Sequence, residues 1–283
     1  MLPELTLKKL RRVGRALNLL ARVSPQLAGS AAFRLFCSPR RQLMPAHDKA
    51  FLKAAYQGSI EIKDLSISTY AWQPTGTPNG RSVLFLHGWE SHSARWRQYV
   101  KVFCKAGFSV QALDAPASGL SGGRMLNLLL FSTAVKKFIE KNGSPYAIVG
   151  HSLGGGAAVM STTLFDAPRP EKMVLFGVFA ETNRVIRDFG NIIGANETVL
   201  RQVDKEIERR SGIPVDAYSV AQKVTLLRDV QGMVLHDRDD AVAPVAEGRF
   251  IAEQWAATYL ETEGFGHRMQ HISVVHAVRD FLV

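Results

Sequence analysis

Two cysteines, Cys37 and Cys104, are all that 283 residues hold. That is too few for a disulfide framework and favours a reducing compartment. No apolar run approaches the roughly 18–20 residues that span a bilayer. The start also lacks the apolar core and small-residue cleavage site of a secretory signal. These absences exclude a membrane-spanning or disulfide-stapled secreted protein and make a cytoplasmic one the expectation. There is no G-x-x-x-x-G-K-[ST] phosphate loop and no Cys/His grouping at zinc spacing, so no cofactor or metal is expected. His87, His92 and His151 read as loop scaffold and turn residues rather than ligands. Acidic residues are scarce in one stretch only. Residues 1–53 carry eleven Lys and Arg against Glu4 and Asp48, a balance of +9, and the rest of the chain balances to +1. The body is therefore near neutral and lacks the basic stripe that nucleic-acid binding requires.

What is present is an ordinary globular composition, 46% apolar and 21% charged. Residues 5–23 read as a basic helix. At about 100° per residue, Leu10, Val13, Leu17 and Leu20 share one side, and Lys8, Arg11, Arg15 and Arg22 another. Two fates fit it: docking of the leucine face on the protein body, or peripheral contact with an anionic membrane. Docking is the favoured reading, because interfacial helices usually place Trp or Phe on the apolar face and this one has neither. An Arg-rich, acid-poor start also fits a transit peptide, although serines are few before Ser24. A short helix fits Ala31–Phe36.

From residue 59 the period changes. Ser59–Trp72 alternates like two short antiparallel strands. Strands then fit Val83–Leu86, Ser109–Leu113, Tyr146–Val149, Lys172–Phe176, Gly232–Leu235 and Thr258–Glu261. Helices fit Ala94–Lys105, Leu126–Lys141, Leu153–Leu164, Ala246–Gln254 and Met269–Phe281. Several strands are continuous apolar runs, as expected where helices cover both sheet faces. The expected fold is α/β, with a doubly wound, mostly parallel sheet. The expected division is a basic helical extension over 1–53 and a body over 54–283. About 55 residues separate Phe176 from Gly232, far more than a connection needs. Val185, Phe189 and Ile193, then Val199, Val203 and Ile207, predict two amphipathic helices hinged at Gly194. They read as a lid within an insertion of about 181–229, whose apolar faces point to an apolar acyl chain.

Gly150-His151-Ser152-Leu153-Gly154 follows the strand ending at Val149 and opens a small-residue helix. G-x-S-x-G alone is weak; between strand and helix it reads as a sharp turn lifting a serine above a sheet. A serine needs a base to take its proton and an acid to orient that base. His267, in the loop Gly264-Phe265-Gly266-His267 after the last strand, is the best-placed base. His271 and His276 sit on the following helix and read as structural or exposed. His236-Asp237-Arg238-Asp239-Asp240 follows another strand end and leaves three acids open, Asp237, Asp239 and Asp240. Backbone N–H groups of Leu153, and of Trp89 in His87-Gly88-Trp89, are the candidate oxyanion donors.

With Leu113-Asp114-Ala115-Pro116, these motifs resemble the successive signatures of the α/β-hydrolase superfamily over roughly residues 60–283. The resemblance is to bacterial serine hydrolases, esterase-like, with a basic N-terminal extension. It implies an eight-stranded sheet and a catalytic triad of Ser152, His267 and Asp240. The resemblance also prefers Asp240, because the family's acid lies four residues after the strand-end histidine, here His236, and four before a proline, here Pro244; Asp239 and Asp237 stay open. The implied activity is hydrolysis of a carboxylic ester or thioester, the partner a small-molecule or lipid-like ester. Two other readings stand beside it: a membrane-surface lipase or lysophospholipase using residues 5–23, and a non-catalytic binding protein. Many relatives carry a histidine before Gly119, where this chain has Ser118.

Overall fold

The computed structural model describes residues 4–283. Its elements run α1 (Glu4–Val23), α2 (Pro25–Phe36), α3 (Ala46–Lys53), β1 (Tyr56–Ile62), β2 (Leu65–Trp72), β3 (Ser82–Leu86), α4 (Arg97–Lys105), β4 (Ser109–Leu113), α5 (Leu128–Asn142), β5 (Ala147–His151) and α6 (Leu153–Thr163). They continue with β6 (Lys172–Phe176), α7 (Thr182–Ile193), α8 (Glu197–Ser211), α9 (Val220–Val224), β7 (Gln231–Asp237), α10 (Val245–Trp255), β8 (Thr258–Thr262) and α11 (Ile272–Leu282). No helix among the described residues is long and apolar enough to cross a membrane.

The chain divides into two compact units, one formed by residues up to Ser38 with Glu181–Ser219, the other by Pro39–Ala180 with Val220–Val283. The larger unit holds one eight-stranded sheet in the order β1-β2-β4-β3-β5-β6-β7-β8. β2 is antiparallel to both β1 and β4, and every other pairing is parallel. Strand β3 has β4 on one side and β5 on the other, so the connections reverse direction there. Such a reversal leaves a crevice at the carboxyl ends of the strands. The interior of β3, β5 and β6 is buried without alternation, as their apolar runs require. On one face of the sheet, Phe85 packs against Trp96, Tyr99 and Phe103 with ring centroids 5.0, 5.5 and 5.6 Å away.

Several element ends differ from the sequence expectation for local reasons. The helix expected from Ala94 begins as a 3₁₀ turn over Ser93–Trp96, because the Ser93 N–H and hydroxyl both bond to Asp114 Oδ1 at 2.7 Å. Helix α5 starts after Asn127, whose side chain accepts the Leu130 N–H. Helix α11 starts after His271, which caps Ser273, and Met269 has φ 47° and cannot be helical. Helix α2 begins at Pro25 rather than Ala31, since proline is pre-set for a first helical turn. Helix α3 had no periodic signal; eight residues are too few to show one.

The smaller unit joins α1 and α2 to α7 and α8. Gly14 lies so close to the last turn of α7 that an added Cβ would sit 1.9 Å from the Ile193 carbonyl oxygen. The Asn18 amide donates to the Gly194 carbonyl and its oxygen accepts the Asn196 N–H, both at 2.9 Å. The glycine between α7 and α8 is thus clamped by a side chain of α1. Phe36 meets Phe189 at 5.1 Å, and the Arg210 guanidinium lies 4.9 Å from the Phe33 ring centre. The expected leucine stripe of α1 is corrected here. Only Leu17 of the four is buried, with Gly14 and Ala21, while Leu10 is half-buried and Val13 and Leu20 are exposed. Close helix approach selects the face with the small residues. Ile193, Val199 and Val203 are fully buried inside this unit.

Candidate active site

The carboxyl ends of β5, β6, β7 and β8 carry the residues with chemistry. Leaving β5, the backbone turns at Ser152, which has φ 52° and ψ −121° and directly precedes α6. A positive φ is rare for a residue with a side chain and marks a position held by its surroundings. What holds it is partly the Ser152 N–H bond to the Phe176 carbonyl at the end of β6, 2.8 Å long. The half-buried hydroxyl does not cap α6. Gly88 closes in from β3: a Cβ there would lie 3.1 Å from Ser152 Cβ and 2.7 Å from His151 Nδ1. Among the described residues, neither the Trp89 nor the Leu153 N–H enters a turn, loop or cap hydrogen bond. Leu153 opens α6 directly after the serine, and Trp89 follows the Gly88 that approaches it.

His267 follows β8, and its Nδ1 lies 2.7 Å from Asp240 Oδ2. Gly177, next in sequence to the Phe176 that holds Ser152, touches this pair: a Cβ on it would meet Asp240 Oδ2 at 3.2 Å and His267 Nδ1 at 3.3 Å. The end of β6 therefore lies against the serine turn and the His–Asp pair at once. Asp240 Oδ1 accepts the N–H groups of Val242 and Ala243 at 2.8 and 2.9 Å. Burial works against this carboxylate, but hydrogen bonds from His236 and His267, the His267 charge and the Ala243 N–H outweigh it. The carboxyl is held well below the usual carboxylate range.

The three acids that the sequence leaves open have three different partners. Asp237 accepts from Thr262 Oγ1, Phe265 N, Gly266 N and Asp239 N, tying β7 to the loop before His267. Asp239 accepts the Gly264 N–H at 2.9 Å. Only Asp240 of the three meets His267. His271 and His276 are exposed.

Two side chains hold the His267 loop: His151, which the sequence offered only as a turn residue, and Arg95, which it did not single out. His151 Nε2–H donates to the His267 carbonyl at 2.7 Å, with ring centroids 4.8 Å apart. Burial, then the nearby Arg95 charge, push the His151 pKa far down, so the ring stays neutral. Arg95 Nη2 donates to the Arg268 carbonyl at 2.8 Å, and burial lowers its own pKa to about 10. His151 carried a signal, its place before the serine. Arg95 carried none, being one of 35 basic residues.

His87 organises the Gly88 loop. Its Nδ1–H donates to the Gly88 carbonyl at 2.8 Å and its Nε2 accepts the Ala115 N–H at 2.9 Å. Asp114, one strand over, accepts from Tyr70, Ser93 and Leu120. The loop is thus satisfied with serine at 118. Protonating His87 would set a second N–H against that of Ala115, and burial lowers its pKa from 6.5 to about 4. Between those values the unfolded chain holds the extra proton, so stability is full above pH 6.5 and falls as pH drops toward 4. The loss is about 3 kcal/mol. Urea unfolding at pH 7.5 and 4.5 should show this decline, and His87→Gln should show a decline smaller by that amount. Equal declines would refute it.

Residues 77–224 match the family described as serine aminopeptidase, S33. The monoacylglycerol lipase of Mycolicibacterium smegmatis is 37% identical over 93 residues, 30% of this chain and 33% of that protein. The chain spans about a third or less of the length of the curated relatives it matches. Among solved structures, a membrane phospholipase A superposes with a TM-score of 0.60 at 13% identity, over 82% of this chain and 87% of that one. An α/β hydrolase from a Medee basin deep-sea metagenome library gives 0.60 at 15% identity, over 79% and 96%.

Proposed function

The chain belongs to the serine aminopeptidase, S33, family of α/β-hydrolases, and from that premise we propose that it hydrolyses a carboxylic ester or thioester through an acyl-enzyme on Ser152. The observation that carries the reading is the 2.7 Å His267–Asp240 contact, lying against the same end of β6 that holds the Ser152 backbone. Asp240 fixes the proton of His267 on Nδ1 and leaves Nε2 to take the proton of Ser152 Oγ. The freed oxygen attacks the acyl carbon, and the carbonyl oxygen becomes an oxyanion that the N–H groups of Trp89 and Leu153 receive. His267 then passes its proton to the departing alcohol or thiol. Water, deprotonated by His267, releases the acid and restores the serine.

The similarity to a monoacylglycerol lipase supports an apolar acyl group. The apolar faces of 181–229 no longer do, since Ile193, Val199 and Val203 are spent within the helical unit. A merely binding protein of this fold would have no need of an ionised acid aligned on a histidine.

Incubation with a fluorophosphonate, followed by peptide mass mapping, should place the label on Ser152. Rates on p-nitrophenyl esters from acetate to laurate, on a monoacylglycerol and on an acyl thioester then define the acyl preference. A folded protein that neither labels nor turns over any of them refutes the chemistry. A faster rate on an aminoacyl p-nitroanilide than on every ester refutes the substrate class.

A further inference from the structure

The face of α1 opposite its buried residues is not a plain solvated surface. At about 100° per residue, Arg12, Leu19 and Val23 point away from Gly14, Leu17 and Ala21. Leu19 is 61% exposed, Val23 87% and Leu27 63%. Ser24 is extended, with φ −144° and ψ 90°, and ends α1, so Leu27 lies beyond the break, in the first turn of α2. A short apolar ridge, Leu19 and Val23, thus occupies the last turns of α1, and Leu27 is exposed in the first turn of α2. Beside it stand six cations, Lys8, Lys9, Arg11, Arg12, Arg15 and Arg22, all exposed. Among the described residues only Lys8 has a carboxylate partner, Glu4. Residues 1–38 carry seven basic groups against that one acid, whereas 181–219 carry six against seven. The charge excess of the helical unit belongs wholly to this surface.

We propose that this surface docks on an anionic phospholipid bilayer. The chemistry selects that occupant. A second copy of the same surface would set cations against cations. A nucleic acid would neutralise the arginines but leave the leucine and valine ridge wet, with no aromatic ring to stack on a base. A bilayer surface takes both, the alkyl side chains between the headgroups and the cations at the phosphates. The helix does not need to leave its own unit to bind, because Gly14, Leu17 and Ala21 face the other way. With no Trp or Phe on the ridge, attachment is reversible and depends on salt.

The test is co-sedimentation of the full chain with sucrose-loaded vesicles of phosphatidylcholine alone or with 30% phosphatidylglycerol. Partitioning should be at least tenfold higher on the anionic vesicles in 50 mM salt and fall at least tenfold in 500 mM. A Leu19→Glu, Val23→Glu, Leu27→Glu triple variant should lose at least tenfold, as should Arg11→Glu, Arg12→Glu, Arg15→Glu. All six positions are exposed, and circular dichroism checks that the variants fold. Equal partitioning on both vesicle types, or variants that bind like the parent, overturns the proposal. So does a self-associated parent that the triple variants turn into a monomer without loss of vesicle binding. The readout is binding rather than turnover, so it stands or falls apart from the proposed chemistry.

Discussion

Ser152→Ala is expected to lower kcat/KM on the best ester by about 10⁶-fold, the scale on which such nucleophiles contribute, with an unfolding midpoint within a degree or two of the parent. Both halves follow from the geometry. The Ser152 backbone is held at φ 52° by its neighbours and by its own N–H bond to Phe176. Its hydroxyl does not cap α6, and alanine keeps the Cβ that packs near Gly88. The substitution therefore removes the attacking oxygen and little else. Steady-state kinetics with thermal unfolding decides it. A variant that retains more than a hundredth of the activity would move the nucleophile elsewhere.

The second large effect separates two acids three residues apart. Asp240→Asn should cost about 10⁴ in kcat, because an amide NH₂ facing His267 Nδ1 turns that nitrogen into an acceptor and puts the proton on Nε2, where it cannot receive one from serine. Asp237→Asn should act on stability instead. Its carboxylate is fully buried and receives three backbone N–H groups and the Thr262 hydroxyl. Burial opposes that carboxylate and the donors outweigh it, so its pKa lies below the usual carboxylate range. An amide nitrogen set among those donors leaves hydrogen bonds unmade, at about 2–4 kcal/mol. Urea unfolding and kcat measured on both variants give the crossed result. If Asp237→Asn abolishes turnover in a stable protein while Asp240→Asn is benign, the two roles are exchanged.

The eight-stranded sheet was legible because its strands are short apolar runs between turns, and every predicted strand reappears within a few residues. The serine turn and the histidine loop were legible because both sit where a strand ends among glycines. The choice among Asp237, Asp239 and Asp240 was not legible from the residues alone. All three lie on one turn, and their partners, at 262–267, come from a different strand. The inner face of α1 misled for a related reason. Hydrophobic periodicity finds leucines, but a helix meeting a carbonyl at Gly14 is placed by the side chain it lacks. Arg95 was invisible because its work is done on the Arg268 backbone, 173 positions away.

The clamp between Asn18 and the Gly194–Asn196 turn has a consequence for the order of assembly. The ribosome releases α1 and α2 more than 140 residues before α7 exists, so the Gly14 face has no partner while most of the sheet is being made. The smaller unit is thus tied late, by the middle of the chain returning to its beginning. A shortened protein that starts at Pro39 would not shed an ornament. It would strip Ile193, Val199 and Val203 of the helices packed with them and leave the middle of the polypeptide as the aggregation-prone part.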